Sequence, residues 1–198
     1  MRRGSRSAVI GAICICALAA CSHGGDQASA TVFNPSQLSQ AMPSKLGAPH
    51  GWRGSEPVVY QGSEALKYCG YQELACSGVT AMGNSHYEAQ NSEADSGPRL
   101  RFTLLAYDGD SNAKAGMKGV VASVHKQDAK SKALSIQSGA DETDAYTTGD
   151  SSSAVMRVGT VVAYVAGVHV TKPADLQKFA KLQVERIKTA AGGKNPDA

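Results

Sequence analysis

Between Arg99 and Tyr107 the chain reads RLRFTLLAY, with Leu100, Phe102, Leu104 and Ala106 at every second position. Strict alternation puts these four side chains on one face of a β-strand, and that face has to be covered. Gly78 to Ala89 repeats the pattern with Val79, Ala81, Tyr87 and Ala89, weakened by Gly83-Asn84-Ser85. A short strand is expected around Leu134 and Ile136. The run Ala154–Val168 reads as two strands folded about Val158-Gly159, where Gly159 supplies the positive φ of a tight turn.

Helix signals occupy three places. Asn34-Pro35 offers a cap followed by proline at the first helical position, with Leu38, Ala41 and Met42 on one face and Pro43 as the stop. Ala113, Met117, Val120, Val121 and Val124 keep helical spacing behind Asp110 or Ser111. A third helix opens at Pro173, turns Leu176, Phe179, Ala180, Ile187 and Ala191 inward, and ends at Gly192-Gly193. Short turns between neighbouring strands make them antiparallel. The expected class is therefore α+β: one domain, a mainly antiparallel sheet, and helices packed on one face.

At the N-terminus Arg2, Arg3 and Arg6 precede an uncharged run from Ala8 to Ala20. Such a run is too short for the roughly 20 helical residues that cross a bilayer and reads as an export signal. Its end, Leu18-Ala19-Ala20-Cys21, resembles the lipobox of bacterial lipoproteins. That resemblance implies cleavage before Cys21, acylation of its thiol and amine, and a lipid anchor in a membrane facing out of the cytoplasm. The expected layout is 1–20 signal peptide, 21–32 flexible tether, 33–191 folded domain and 192–198 disordered tail. About 160 residues suffice for one core.

Lys and Arg number 20 against 17 Asp and Glu. The three signal arginines account for the whole +3, so the mature side chains sum to zero. Nucleic-acid binding, which wants a basic face, is excluded as an expectation.

Of five cysteines, Cys14 and Cys16 leave with the signal and Cys21 is the lipidation site. Cys69 and Cys76 remain, and an even pair in an exported chain reads as a disulfide. Zinc would require two further close ligands, and a redox pair is more typically Cys-x-x-Cys. No cofactor, metal site or catalytic residue is expected.

Asp108-x-Asp110-x-Asn112 opens like a calcium loop, but Ala113 and Gly119 stand where that loop needs glycine and glutamate. It reads as a strand-to-helix turn. Ser111-x-x-Lys114 and Ser123-x-x-Lys126 follow from helical spacing. His23, His50, His86, His125 and His169 are scattered, although a serine and a histidine could still meet in space. Asp141, Glu142, Asp144 and Asp150 read as a polar hairpin loop, with a recognition loop as the sharper alternative. Trp52, in a Gly/Pro-rich segment, reads as core, with a ligand platform as the alternative.

The helix order, RVGTVVAYV and the later ADLQKFAKLQVERI are similar to bacterial exported sensor domains, over roughly Phe33 to Ala191. These include the extracellular domains of certain transmembrane Ser/Thr kinases and free-standing lipoprotein relatives. The resemblance implies a non-enzymatic domain that binds a small ligand or an envelope protein in a cleft on the sheet. That family usually has two disulfides, and this chain can form only Cys69–Cys76. The architecture also resembles the PsbP-like lipoprotein group. An envelope hydrolase and a structural envelope partner are the competing expectations.

Overall fold

The structure is a computed structural model that describes residues 32–90, 97–127 and 130–198. The expected signal, Cys21 and all but the last residue of the tether lie outside them. Helix α1 (Pro35–Ala41) begins as its sequence dictates. The Asn34 side chain accepts from the Gln37 N–H at 2.9 Å, and the Asn34 N–H donates to Gln37 Oε1 at 3.1 Å. This reciprocal box satisfies two of the donors that a helix start leaves open.

There follow β1 (Trp52–Gly54), β2 (Val58–Gln61), α2 (Gly62–Tyr71), β3 (Val79–Ala89), β4 (Arg99–Tyr107) and α3 (Asp110–Gln127). The chain continues through β5 (Lys132–Ala133), β6 (Glu142–Thr148), β7 (Ser151–Val158) and β8 (Val161–Val168) to α4 (Pro173–Ala191). The strands form one eight-stranded sheet in the order β1-β3-β4-β8-β7-β6-β5, with β2 also on β3. Every pairing is antiparallel. The class is α+β with the sheet dominant. Gly159 sits at φ 56° in the β7–β8 turn, as expected.

The helices do not share one face; they lie on both. Leu100, Phe102, Leu104 and Ala106 of β4 pack with α1 and α4, whereas Leu105 and Tyr107 pack with α2 and α3. The reason is visible in β4. Its alternation ends at Thr103, after which Leu104-Leu105-Ala106-Tyr107 is apolar on both sides, the mark of a strand buried on both faces. Trp52 belongs to β1 and meets Phe179 edge-on at 4.8 Å, against the α4 core.

The acidic run is only in part a loop: Asp141 precedes a strand and Asp150 sits in the β6–β7 turn, but Glu142 and Asp144 are within β6. In β6 (Glu142–Thr148) Glu142 is engaged by Arg157 and Asp144 by the His125 ring. Arg157 donates to Glu142 at 2.7 Å, Asp110 at 3.1 Å and Asp141 at 3.3 Å, which makes a nearly buried guanidinium tolerable. Nor is the segment 192–198 a free tail. The Arg186 guanidinium donates to the Asp197 carboxylate at 2.9 Å and to the main-chain carbonyls of Gln40, Ala41 and Met42. Those carbonyls close α1, whose last turn would otherwise leave acceptors unpaired. One buried arginine thus ties both ends of the domain together.

Candidate functional site

On the α2/α3 side, the helices cover only one end of the sheet. Beyond them lies a groove of about 780 Å³. Register defines its floor as three cross-strand rows: Asn84–Thr103–Tyr164, His86–Arg101–Ala166 and Glu88–Arg99–Val168. One wall comes from Ser55, Glu56 and Val58, where the chain leaves β1 and returns as β2. Ser55 anchors that wall through its N–H to the His86 carbonyl at 2.9 Å, and its hydroxyl accepts from the His86 N–H at 3.0 Å.

Gln72, just past α2, closes the covered end. Its amide donates to Asn84 Oδ1 at 3.4 Å, and the buried Thr103 hydroxyl donates to the same oxygen at 2.8 Å. Gln72 lies inside the loop closed by the Cys69–Cys76 disulfide. The Tyr107 hydroxyl donates to the Ala75 carbonyl at 2.7 Å and pins the same loop from below. Burial pushes the Tyr107 hydroxyl well above its ordinary pKa, so it remains a donor across the physiological range. The disulfide therefore shapes the groove rather than a remote loop.

The groove's charges are unevenly paired. Glu56 is held by Lys45 at 2.6 Å and Glu88 by Arg53 at 3.2 Å, and neither cation lines the groove. Among the described residues, the Arg99 and Arg101 guanidiniums have no ion-pair or hydrogen-bond partner. Beside them run Tyr164, Ala166 and Val168, with Val58 opposite; Val168 is 39% and Val58 49% exposed.

A second cluster lies outside the groove. His125 Nδ1 stands 3.0 Å from the Ser131 hydroxyl, and His125 Nε2 stands 2.8 Å from Asp144 Oδ1. This is the serine–histidine–carboxylate meeting that the scattered sequence left open. None of the three lines the groove. The ring sits in the last turn of α3, where a helix presents carbonyls and the negative end of its dipole, the opposite of what an oxyanion needs. The contacts fasten the end of α3 to β6.

Asn112 donates to Asp108 Oδ1 at 2.6 Å, and Asp110 pairs with Lys114 and Arg157, so the calcium-like opening is a strand-to-helix turn. His169 meets Asp150 at 2.8 Å. Among the described residues no group of three or more His, Cys, Asp or Glu is placed to hold a metal, and no helix is long and apolar enough to cross a membrane.

Fold and groove together define a compact α+β domain with a half-covered antiparallel sheet. A solved structure with this architecture is the extracellular domain of PknH from Mycobacterium tuberculosis, with a TM-score of 0.55 and 11% identity. The match covers 81% of this chain and 99% of that one. No protein-family model and no curated protein matches the chain.

Proposed function

We propose that this chain is an extracytoplasmic lipoprotein, anchored by acylation of Cys21, whose sensor-like domain binds a ligand in the groove without transforming it. The observation that carries the reading is the uncovered half of the sheet, where arginines with no partner among the described residues lie beside exposed apolar side chains. The fold of a kinase's extracellular domain supports it, and so does the basic, apolar, Leu18-Ala19-Ala20-Cys21 start. The domain layout that follows is a signal over 1–20 and a tether over 21–32 ahead of the folded part. The hydrolase reading has only the Ser131–His125 contact, on the wrong end of a helix and outside the groove.

The test uses the Cys21→Ser chain, which should be released from membranes when the wild type is retained. Isotope-labelled Cys21→Ser protein exposed to a host envelope extract should show amide shifts confined to β3, β4 and β8. Ala166→Trp, which fills the groove floor, should abolish them. Membrane retention of Cys21→Ser would remove the anchor; a response unchanged by Ala166→Trp would remove the groove.

A further inference from the structure

We infer that the groove takes an amphiphilic anion: a phosphate or carboxylate head held by Arg99 and Arg101, with an apolar body along Ala166 and Val168. This rests on the groove being the binding site.

The five arginines among the described residues supply the argument. Arg157 is saturated by Asp110, Asp141 and Glu142, Arg186 by Asp197 and three carbonyls, and Arg53 makes one ion pair, with Glu88. Arg99 and Arg101 differ. They stand two residues apart on one strand, roughly 6.6 Å along it, and both point to the groove side. An arginine fork matches the paired oxygens of phosphate and carboxylate, and two forks from one strand can converge on a single head group.

Charge within reach favours an anion. Among the described residues, the cations that line the groove are Arg99 and Arg101, and its two carboxylates, Glu56 and Glu88, are already engaged from outside it by Lys45 and Arg53. Among the described residues, Arg99 and Arg101 are therefore left with no carboxylate paired to them. His86, beside Arg101 in the row, adds a further ring donor at the same level of the floor. The row at the covered end, Tyr164 next to Asn84 and Thr103, is polar, with the Tyr164 and Tyr146 hydroxyls 3.3 Å apart. A head group at the arginines thus leaves its chain to lie over Ala166 and Val168 toward the open margin.

The probe is octyl phosphate below its micellar concentration, titrated into labelled full chain carrying Cys21→Ser. Inorganic phosphate and octyl glucoside serve as the head-only and chain-only controls. Amides from Arg99 to Arg101 and from Ala166 to Val168 should shift, and Arg99→Gln and Arg101→Gln should each weaken binding about tenfold while leaving the melting temperature in place. Arg101→Lys, which keeps the charge but loses the fork, should recover part of the loss. Octyl glucoside binding as tightly at these amides would overturn the anion while leaving the groove. Inorganic phosphate binding as tightly would overturn the apolar half. If no probe moves these amides while the envelope extract still does, the ligand class falls and the groove stands; if the extract also fails, both fall. Phosphatidylglycerol vesicles separate the sources: Arg101-dependent co-sedimentation assigns a lipid head group, and binding of octyl phosphate alone assigns a soluble anion.

Discussion

The two faces of the sheet are made by the same strands, yet one is closed along its length and the other only halfway. Under α1 and α4 every second residue of β4 from Leu100 to Ala106 is buried, and so are Val161, Ala163 and Val165 of β8. On the opposite face Leu105 and Val162 are buried beneath the helices, but Arg101, Ala166 and Val168 emerge beyond them. Helix α4 lies over the first face; α2 and α3 cover the second, where α2 ends at Tyr71 and the chain enters the disulfide loop. Where the covering helices stop decides which part of a continuous sheet becomes core and which becomes a groove.

Substitutions that sort the two faces should differ most at the closed one. Phe179 is fully packed against Trp52 and Tyr87, and Phe179→Ala should lower unfolding free energy by about 3–5 kcal/mol. A shifted urea midpoint with an unchanged slope would show it. A loss no larger than that of a groove residue would remove the distinction between the faces.

Next in size is the clasp that holds α1 to α4. Hydrogen bonds from Arg186 keep the Asp197 carboxyl below its ordinary 3.8; partial burial opposes them, and Ser44 adds to them. A depressed carboxyl contributes stability that is complete above 3.8 and is lost as pH falls through the lower folded value. Asp197→Asn should therefore cost up to about 3 kcal/mol at neutral pH. The gap from wild type should narrow in acid, where the wild type loses the same charge. A gap that stays constant as pH falls would show that the ion pair contributes nothing.

The disulfide belongs to the open face. Closing eight residues restricts the unfolded chain by about 2.5 kcal/mol on the loop-entropy model. The double variant Cys69→Ser, Cys76→Ser should lose up to that much and should loosen Gln72 and Asn84 at the covered end of the groove. Faster amide exchange at 72–76 would report it, and unchanged exchange there would separate the disulfide from the site.

The sequence made the closed face legible because its helix and strand periods agree. Leu176, Phe179, Ala180 and Ile187 keep one helical stripe, and β4 begins with clean alternation. Gln183 and Arg186 fall within that stripe although both are polar; their burial depends on the carbonyls of α1, more than 140 residues away. Helix α2 was not legible. It opens at Gly62 after an uncapped Gln61 and buries only Ala65 and Cys69, too few apolar positions for a period. Strands β1 and β2 were hidden by Gly54 and Pro57, and β6 by charges that find partners only after folding. The groove shows why a site escapes such reading. Its rows join positions near 86, 100 and 166, and no local pattern says where a covering helix stops.

The smallest expected effect gives the sharpest comparison, because it lies within one strand. Val165 and Val168 are both on β8, the first fully buried under α4 and the second exposed in the groove. Truncating either removes the same atoms. Val165→Ala should cost about 1.5 kcal/mol or more, since two methylene equivalents leave a closed core. Val168→Ala should stay within about 0.5 kcal/mol, as surface changes do. If the variants melt together, burial at Val165 does not distinguish the faces. If Val168→Ala also leaves octyl phosphate affinity untouched, the apolar margin takes no part in binding and the anion is held by the arginines alone.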